Sequence, residues 1–249
     1  MSLCQTAITP AEIARLRAAS APHSGDWRHV IPIASIGLKL SDNDLCIAIG
    51  YRLGSRICQP FRCICGVPMD DKGLHALSCR KSSARHVRHS QLNDVIRRAL
   101  NRAQIPATKE PNGLDRTDNK RPDGTTLIPW SHGLAMAWDV TVPDTYAASH
   151  ISSTSSTPAA AAEQAATGKI AKYSNISGTH QFIPIAIETG GSWCQAAIRF
   201  ISELGRRTVV VTGDPLETAH LFQRLSITLQ RGIAFNMSLN GGEFLPSEP

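Results

Sequence analysis

Two carboxylates and two lysines have the type and spacing to do chemistry in this chain. Asp139 interrupts an apolar run at 135–142 (AMAWDVTV). A carboxylate inside a strand must face a polar site, pair with a cation, or lie on an exposed face. Asp123 follows Pro122 and precedes Gly124, at the entry to the preceding strand. Antiparallel neighbours joined by a short turn would bring the two acids together. Their repulsion would be relieved by a divalent cation. Mg²⁺ takes one or two carboxylates and keeps waters and a substrate phosphate, an arrangement suited to phosphodiester hydrolysis. Lys169 and Lys172 stand three apart on a helical stretch, hence on one face. A lysine beside a scissile phosphate can orient the nucleophile or offset developing charge, and Tyr173 could add a hydrogen bond. The plainer reading makes Asp123 a turn residue and the lysines a solvated face. Glu188, at a strand end before Gly190, fits strand-end structure better than catalysis.

A second group is soft. Cys63-Ile64-Cys65-Gly66 is followed by His75 and Cys79, with nine residues between Cys65 and His75 and three between His75 and Cys79. Four such ligands suit tetrahedral Zn²⁺, and Gly66 permits the tight turn that thiolates need around a metal. The one-residue gap between the first two cysteines is short for zinc. Cys58 could replace Cys63, His86 or His89 could compete, and a set of reduced buried thiols is the alternative. Seven cysteines are too few for a disulfide framework, Cys4, Cys46 and Cys194 are scattered, and no secretion pattern opens the chain, so metal comes before disulfide. A segment this small has little core, so its metal would supply much of its folding free energy. It would present Arg80, Lys81, Arg85 and Arg88 to nucleic acid. With Phe61 the only aromatic nearby, backbone contact is expected over base reading. His86 and His89, beside Arg85 and Arg88, read as phosphate contacts or helix-entry residues.

The elements that must hold these groups can be read along the chain. The 249 residues carry a formal charge of +6 and 42% apolar residues, ordinary globular composition. The charge is concentrated: residues 52–121 hold 15 Lys and Arg against 6 Asp and Glu, a balance of +9, and the remainder balances at −3. Such a block, ending at Arg121, suits a polyanion, because each neutralised phosphate releases counterions. A solvated basic face is the bland alternative. No apolar run approaches the roughly 20 residues of a membrane span. Thr9-Pro10-Ala11-Glu12 opens a short helix, and 41–51 has helical character. Residues 1–57 otherwise look like a linker from an upstream region. The clearest helix is 91–104, with Leu92, Val95, Ile96, Ala99, Leu100 and Ala103 on one face. Strands follow at 107–110, 125–130 and 134–142. Residues 149–162 read as a flexible loop leading into an Ala-rich helix that reaches about Tyr173. A buried strand at 182–188 and helices at 193–207 and 215–232 complete the chain, with a disordered tail from 236 to 249. The order from 91 onward implies an α/β (α+β) layered domain around a central sheet.

Arg121-Pro122-Asp123, fifteen residues, Asp139-Val140-Thr141-Val142, then Lys169-Ile170-Ala171-Lys172-Tyr173 resembles the restriction-like endonuclease domain of site-specific non-LTR retrotransposons, within the PD-(D/E)xK nuclease superfamily. The similarity covers roughly residues 58–190. It implies a helix-strand-strand-strand-helix-strand core over 91–235, preceded by a CCHC-type zinc knuckle over 58–90. It implies Asp123 and Asp139 as ligands of catalytic Mg²⁺, and Cys63, Cys65, His75 and Cys79 as ligands of structural Zn²⁺. Lys172 or Lys169 would be the catalytic lysine, since Thr141 stands where the superfamily usually has its lysine. Proteins of this class act on DNA, and on the element's RNA, in the nucleus. They carry a reverse transcriptase whose aromatic-Asp-Asp turn is missing here; Met69-Asp70-Asp71 lacks the aromatic. The resemblance implies a C-terminal piece of such an element.

The leading expectation is thus a metal-dependent DNA endonuclease that nicks its target. The first alternative is an inactive zinc-containing nucleic-acid-binding module. The second is a structural zinc protein that binds a protein partner. No membrane association is expected.

Overall fold

Continuous burial over 136–140 marks a strand covered on both faces, and this sets the architecture. The computed structural model describes residues 9–111, 114 and 121–239. Its elements in order are α1 (Pro10–Ser20), α2 (Asp42–Leu53), β1 (Phe61–Arg62), β2 (Pro68–Met69), α3 (His75–Ser78), α4 (Ala84–Arg102), β3 (Ala107–Lys109), β4 (Gly124–Ser131), β5 (Leu134–Thr141), α5 (Ile151–Thr154), α6 (Ala160–Lys172), β6 (His180–Ala186), α7 (Gln195–Thr212) and α8 (Glu217–Leu239). The class is mixed α+β. Strands β3 to β6 form one sheet in sequential order; β1 and β2 form a separate two-residue ribbon.

In the four-stranded sheet, β3–β4 and β4–β5 pair antiparallel and β5–β6 pair parallel. The β4–β5 turn has only two residues, His132 and Gly133, both at positive φ (50° and 76°). That backbone follows the natural twist of a hairpin. A parallel neighbour cannot be reached by a tight turn, and the chain crosses from β5 to β6 through α5 and α6. Met136, Trp138 and Val140 enter the main core with Leu92, Ile96 and Leu100 of α4. Ala137 instead joins Tyr173 and Ile176. With a period of two, Asp139 shares the Ala137 face, towards α6. Ala161, Ala162 and Ala166 are buried, so α6 lies close against the sheet.

Four stretches differ from the sequence reading. The helix expected over 91–104 starts at Ala84, so the expected knuckle limit at residue 90 falls inside α4. Residues 9–57 are not a loose connector. Tyr51 Oη donates to Thr189 Oγ1 (3.0 Å), the Trp27 amide donates to Ser226 Oγ (3.2 Å), and Arg52 reaches the Ala19 and Ser24 carbonyls. Tertiary contact of that kind cannot be read from a segment whose own periodicity is weak. The tail expected from 236 is helical to Leu239, because Asn236 and Met237 are buried on α8; residues 240–249 lie outside the described ones. The stretch 149–162, expected as a flexible loop, holds α5, anchored by Thr154 Oγ1 donating to the Thr145 carbonyl (2.8 Å).

Candidate functional site

The Cys/His group closes on itself. Gly66 (φ 91°) turns the chain back, with its amide donating to the Cys63 carbonyl (2.7 Å) and the Cys63 amide to the Val67 carbonyl (3.0 Å). This sets Cys63 and Cys65 on one small ribbon. His75 opens α3 and Cys79 follows its end, one helical turn on. Cys63 Sγ and Cys79 Sγ are 3.5 Å apart, Cys65 Sγ and His75 Nε2 3.0 Å, and all four ligand atoms lie within 4.8 Å of one another. Donors about 2.0–2.3 Å from a tetrahedral centre stand roughly 3.3–3.8 Å apart, so this Cys-Cys-His-Cys set could hold a zinc-like metal. The Val67 amide and His75 hold the Cys65 thiol down at about 6, whereas burial pushes Cys63 up to about 11. Cys58 is outside the set: its Sγ faces the Asp70 and Asp71 carbonyls at 3.4 and 3.8 Å. His86 and His89 belong to α4 and line a different cleft.

The acids converge from the sheet. Asp123 stands one residue beyond the Gly124–Trp138 pair, which sets it opposite Asp139. Its carboxylate Oδ2 accepts from the Val140 amide (2.6 Å), and its carbonyl accepts from the Glu110 amide (3.0 Å) and Asn93 Nδ2 (3.3 Å). Gly124 is required here by close approach: a Cβ would lie 2.1 Å from Trp138 Cζ2. The Trp138 indole in turn donates to Asn93 Oδ1 (2.8 Å), so α4 clamps both strands at the site.

Asp139 is 3% exposed. Its Oδ2 meets Tyr173 Oη at 2.7 Å, and that hydroxyl also reaches the Arg121 carbonyl (2.7 Å) and accepts from Lys172 Nζ (2.8 Å). Its Oδ1 is ion-paired with Lys169 Nζ at 2.5 Å. The two lysines therefore divide: Lys169 touches the acid, and Lys172, exposed, acts on it through Tyr173.

His89, read from the sequence as a phosphate contact, a helix-entry residue or a competing zinc ligand, has a place at the acid site that sequence reasoning missed. Its Nε2 lies 2.8 Å from Asp123 Oδ2, and His89, Asp123 and Asp139 each bring a ligand atom within 4.8 Å of the others. Hydrogen bonding to the Asp123 carboxylate raises the imidazole above its ordinary value, against the opposing effect of burial. The signal was the spacing to Asn93, i to i+4 on one helical face, hidden because the helix was expected to begin after residue 89. The set fits a divalent cation: two carboxylates and one imidazole within 4.8 Å of one another.

The basic residues are not all alike. Arg80, Lys81, Arg85 and Arg121 are exposed. Arg80 and Arg85 line a cleft with Lys169 and His89, and Arg121 joins the acid site through its carbonyl alone. Arg88 departs from the expected exposed contact: it is 2% exposed, because α4 continues through it and turns it inward. Glu188 lies away from the acids. Its Oε1 accepts from the Ala161 and Ala162 amides (2.9 and 3.3 Å) and its Oε2 from Thr145 Oγ1 (3.2 Å), which satisfies the free amides that open α6. Among the described residues no helix is long and apolar enough to cross a membrane. Compared with protein-family models and with curated proteins, the chain matches none.

Proposed function

We propose that the chain is a metal-dependent DNA endonuclease of the restriction-like type found in non-LTR retrotransposons, hydrolysing one phosphodiester bond of its target. The observation that carries this reading is the meeting of His89, Asp123 and Asp139 beside Lys169, at the edge of a basic cleft. Two carboxylates within 4.8 Å repel by at least about 3 kcal/mol at an effective dielectric near 20. The fold offsets this with His89 on one and Lys169 on the other. A bound Mg²⁺ or Mn²⁺ would offset it further and would supply an activated water and a counter-charge for the phosphate.

The chain's own groups have separable roles in this reading. Asp123 and Asp139, joined by His89, hold the cation. Tyr173 fixes the rotamer of Asp139. Lys169 leaves Asp139 for the phosphate oxygen and offsets charge in the transition state, and Lys172 positions Tyr173. The Cys63, Cys65, His75 and Cys79 knuckle, with Zn²⁺, fixes the start of α4 and hence His89. The exposed Arg80, Lys81, Arg85 and Arg121 meet DNA backbone, and element RNA where the full element is present. The site of action is the nucleus, beside an upstream reverse transcriptase. Observations also favour one alternative, a binding module without catalysis: each acid already has a cation partner, so the site is satisfied as it stands.

The test is nicking of supercoiled plasmid with Mg²⁺, with Mn²⁺ and with EDTA, beside Asp139→Asn. Metal-dependent nicking that disappears in the folded variant is expected. DNA binding with no nicking under any metal would select the binding module.

A further inference from the structure

A cleft of about 340 Å³ opens between the start of α4 and the end of β5. Its walls carry Arg80, Arg85, Arg88, His86 and Lys169, and among the described residues no carboxylate lines it. Arg88 is among the residues that line it. This guanidinium is almost wholly buried, and neither its Nε nor its Nη1 has a hydrogen-bond partner among the described residues. Nor does any ion pair among the described residues satisfy it, although Asp144 and Tyr51 lie near enough to favour its charge. Burial lowers it to about 10, which leaves it charged at neutral pH. The fold has made room for it. Gly232 of α8 lies against its stem, where a Cβ would come within 2.6 Å of Arg88 Cγ. A buried charge left without a partner is destabilising, and a planar guanidinium matches a phosphate in particular.

We propose that this cleft is a pocket for one backbone phosphate of nucleic acid, seated on the Arg88 guanidinium and closed at its rim by Arg80 and Arg85. Lys169 and His89 line the cleft and also touch Asp139 and Asp123. The seated phosphate is therefore a neighbour of the one that reacts, a location that rests on the endonuclease reading. The pocket sets the register of the strand, and the acid cluster cuts it.

The test uses the full chain loaded with zinc, in buffer without Mg²⁺ or Mn²⁺ and carrying Asp139→Asn, so that it is independent of cleavage. Binding of a labelled DNA duplex is followed by fluorescence anisotropy across a salt series, for Arg88→Met and for the rim pair Arg80→Ser with Arg85→Ser. Arg88→Met should weaken binding about tenfold or more, the effect of one charge-assisted contact. It should also flatten the slope of log affinity against log salt by about one. Its melting temperature should hold or rise, because an unpaired buried charge has gone. A single neutral methylphosphonate, walked along each strand, should cost affinity at one position in the parent and not in Arg88→Met. Inorganic phosphate should raise the parent's melting temperature, relative to chloride at equal ionic strength, and should do so less in the rim pair. That comparison decides the matter if Arg88→Met does not fold. Unchanged affinity and slope in a folded Arg88→Met would overturn the pocket. So would a methylphosphonate walk with no special position, or an equal response to phosphate in the rim pair and the parent. Loss of plasmid nicking with these responses intact would instead sink the endonuclease reading alone.

Discussion

Gly124→Ala is the most direct perturbation of the frame that holds the acids. The new Cβ would lie 2.1 Å from Trp138 Cζ2 and 2.3 Å from Cη2, well inside contact distance. Trp138 is fully buried in the main core and cannot swing away freely. Overpacking of this kind costs about 1–3 kcal/mol. Moving the indole also breaks its bond to Asn93, for about another 1 kcal/mol. The sum is roughly 2–4 kcal/mol, and at about 2–4 °C per kcal/mol for a chain of this size the melting temperature should fall by roughly 5–15 °C. Gly168→Ala is the internal control. Gly168 is exposed within α6, nothing lies within 4 Å of its would-be Cβ, and alanine should stabilise by about 0.5–1 kcal/mol through helix propensity. Thermal unfolding by circular dichroism reads both variants, with near-ultraviolet signal reporting the indoles. Opposite signs are expected. A Gly124→Ala protein melting with the parent, or a Gly168→Ala protein falling equally, would refute the steric argument and with it the placement of Asp123 against β5.

Other outcomes separate the roles assigned above. Lys169→Met should abolish nicking in folded protein, whereas Lys172→Met should keep a measurable fraction, since only Lys169 touches Asp139; equal losses in a single-turnover assay would contradict that division. Imidazole nitrogen favours Mn²⁺ over Mg²⁺, so His89→Gln should weaken Mn²⁺ binding, measured by electron paramagnetic resonance, more than it weakens Mg²⁺ binding measured by calorimetry. Cys79→Ser should remove one zinc per chain by elemental analysis and lower the melting temperature, as should chelation of the parent. Full metal content and stability in that variant would remove Cys79 from the ligand set.

The sequence made some of this legible because local pattern and tertiary fate agreed. The acid inside an apolar strand, the lysine pair on one helical face and the His132-Gly133 turn each carry their meaning within a few residues. The capping box at Thr9 and Glu12 is local too: the Glu12 amide donates to Thr9 Oγ1 (3.3 Å), and Glu12 Oε2 accepts from the Thr9 amide (2.8 Å). What escaped was long-range. Tyr51 is 138 positions from Thr189, and no periodicity announces their bond. The beginning of α4 escaped for another reason. Residues 84–91 are dominated by Arg, His and Ser, so they lack the apolar stripe that marks a helix. Their helix packs along α8 instead. With the helix start went the burial of Arg88 and the place of His89 beside Asp123. The cysteines, by contrast, were legible as a group, but only geometry separated Cys63 from Cys58.

Helix α4 has one further consequence, for what the gene can tolerate. The helix is continuous from Ala84 to Arg102 and carries Arg85, Arg88, His89 and Asn93 at fixed azimuths. Each inserted residue rotates everything beyond it by about 100° and advances it by about 1.5 Å. A single-codon insertion between Arg88 and His89 would thus point His89 and Asn93 away from the strands while leaving the cysteine cluster untouched. The same insertion between the cluster and Ala84, at the exposed Ser83, would be absorbed as slack. Drift in length is therefore confined to the few positions before the helix begins, and copies of this gene that keep the helix in frame keep both halves of the site in phase.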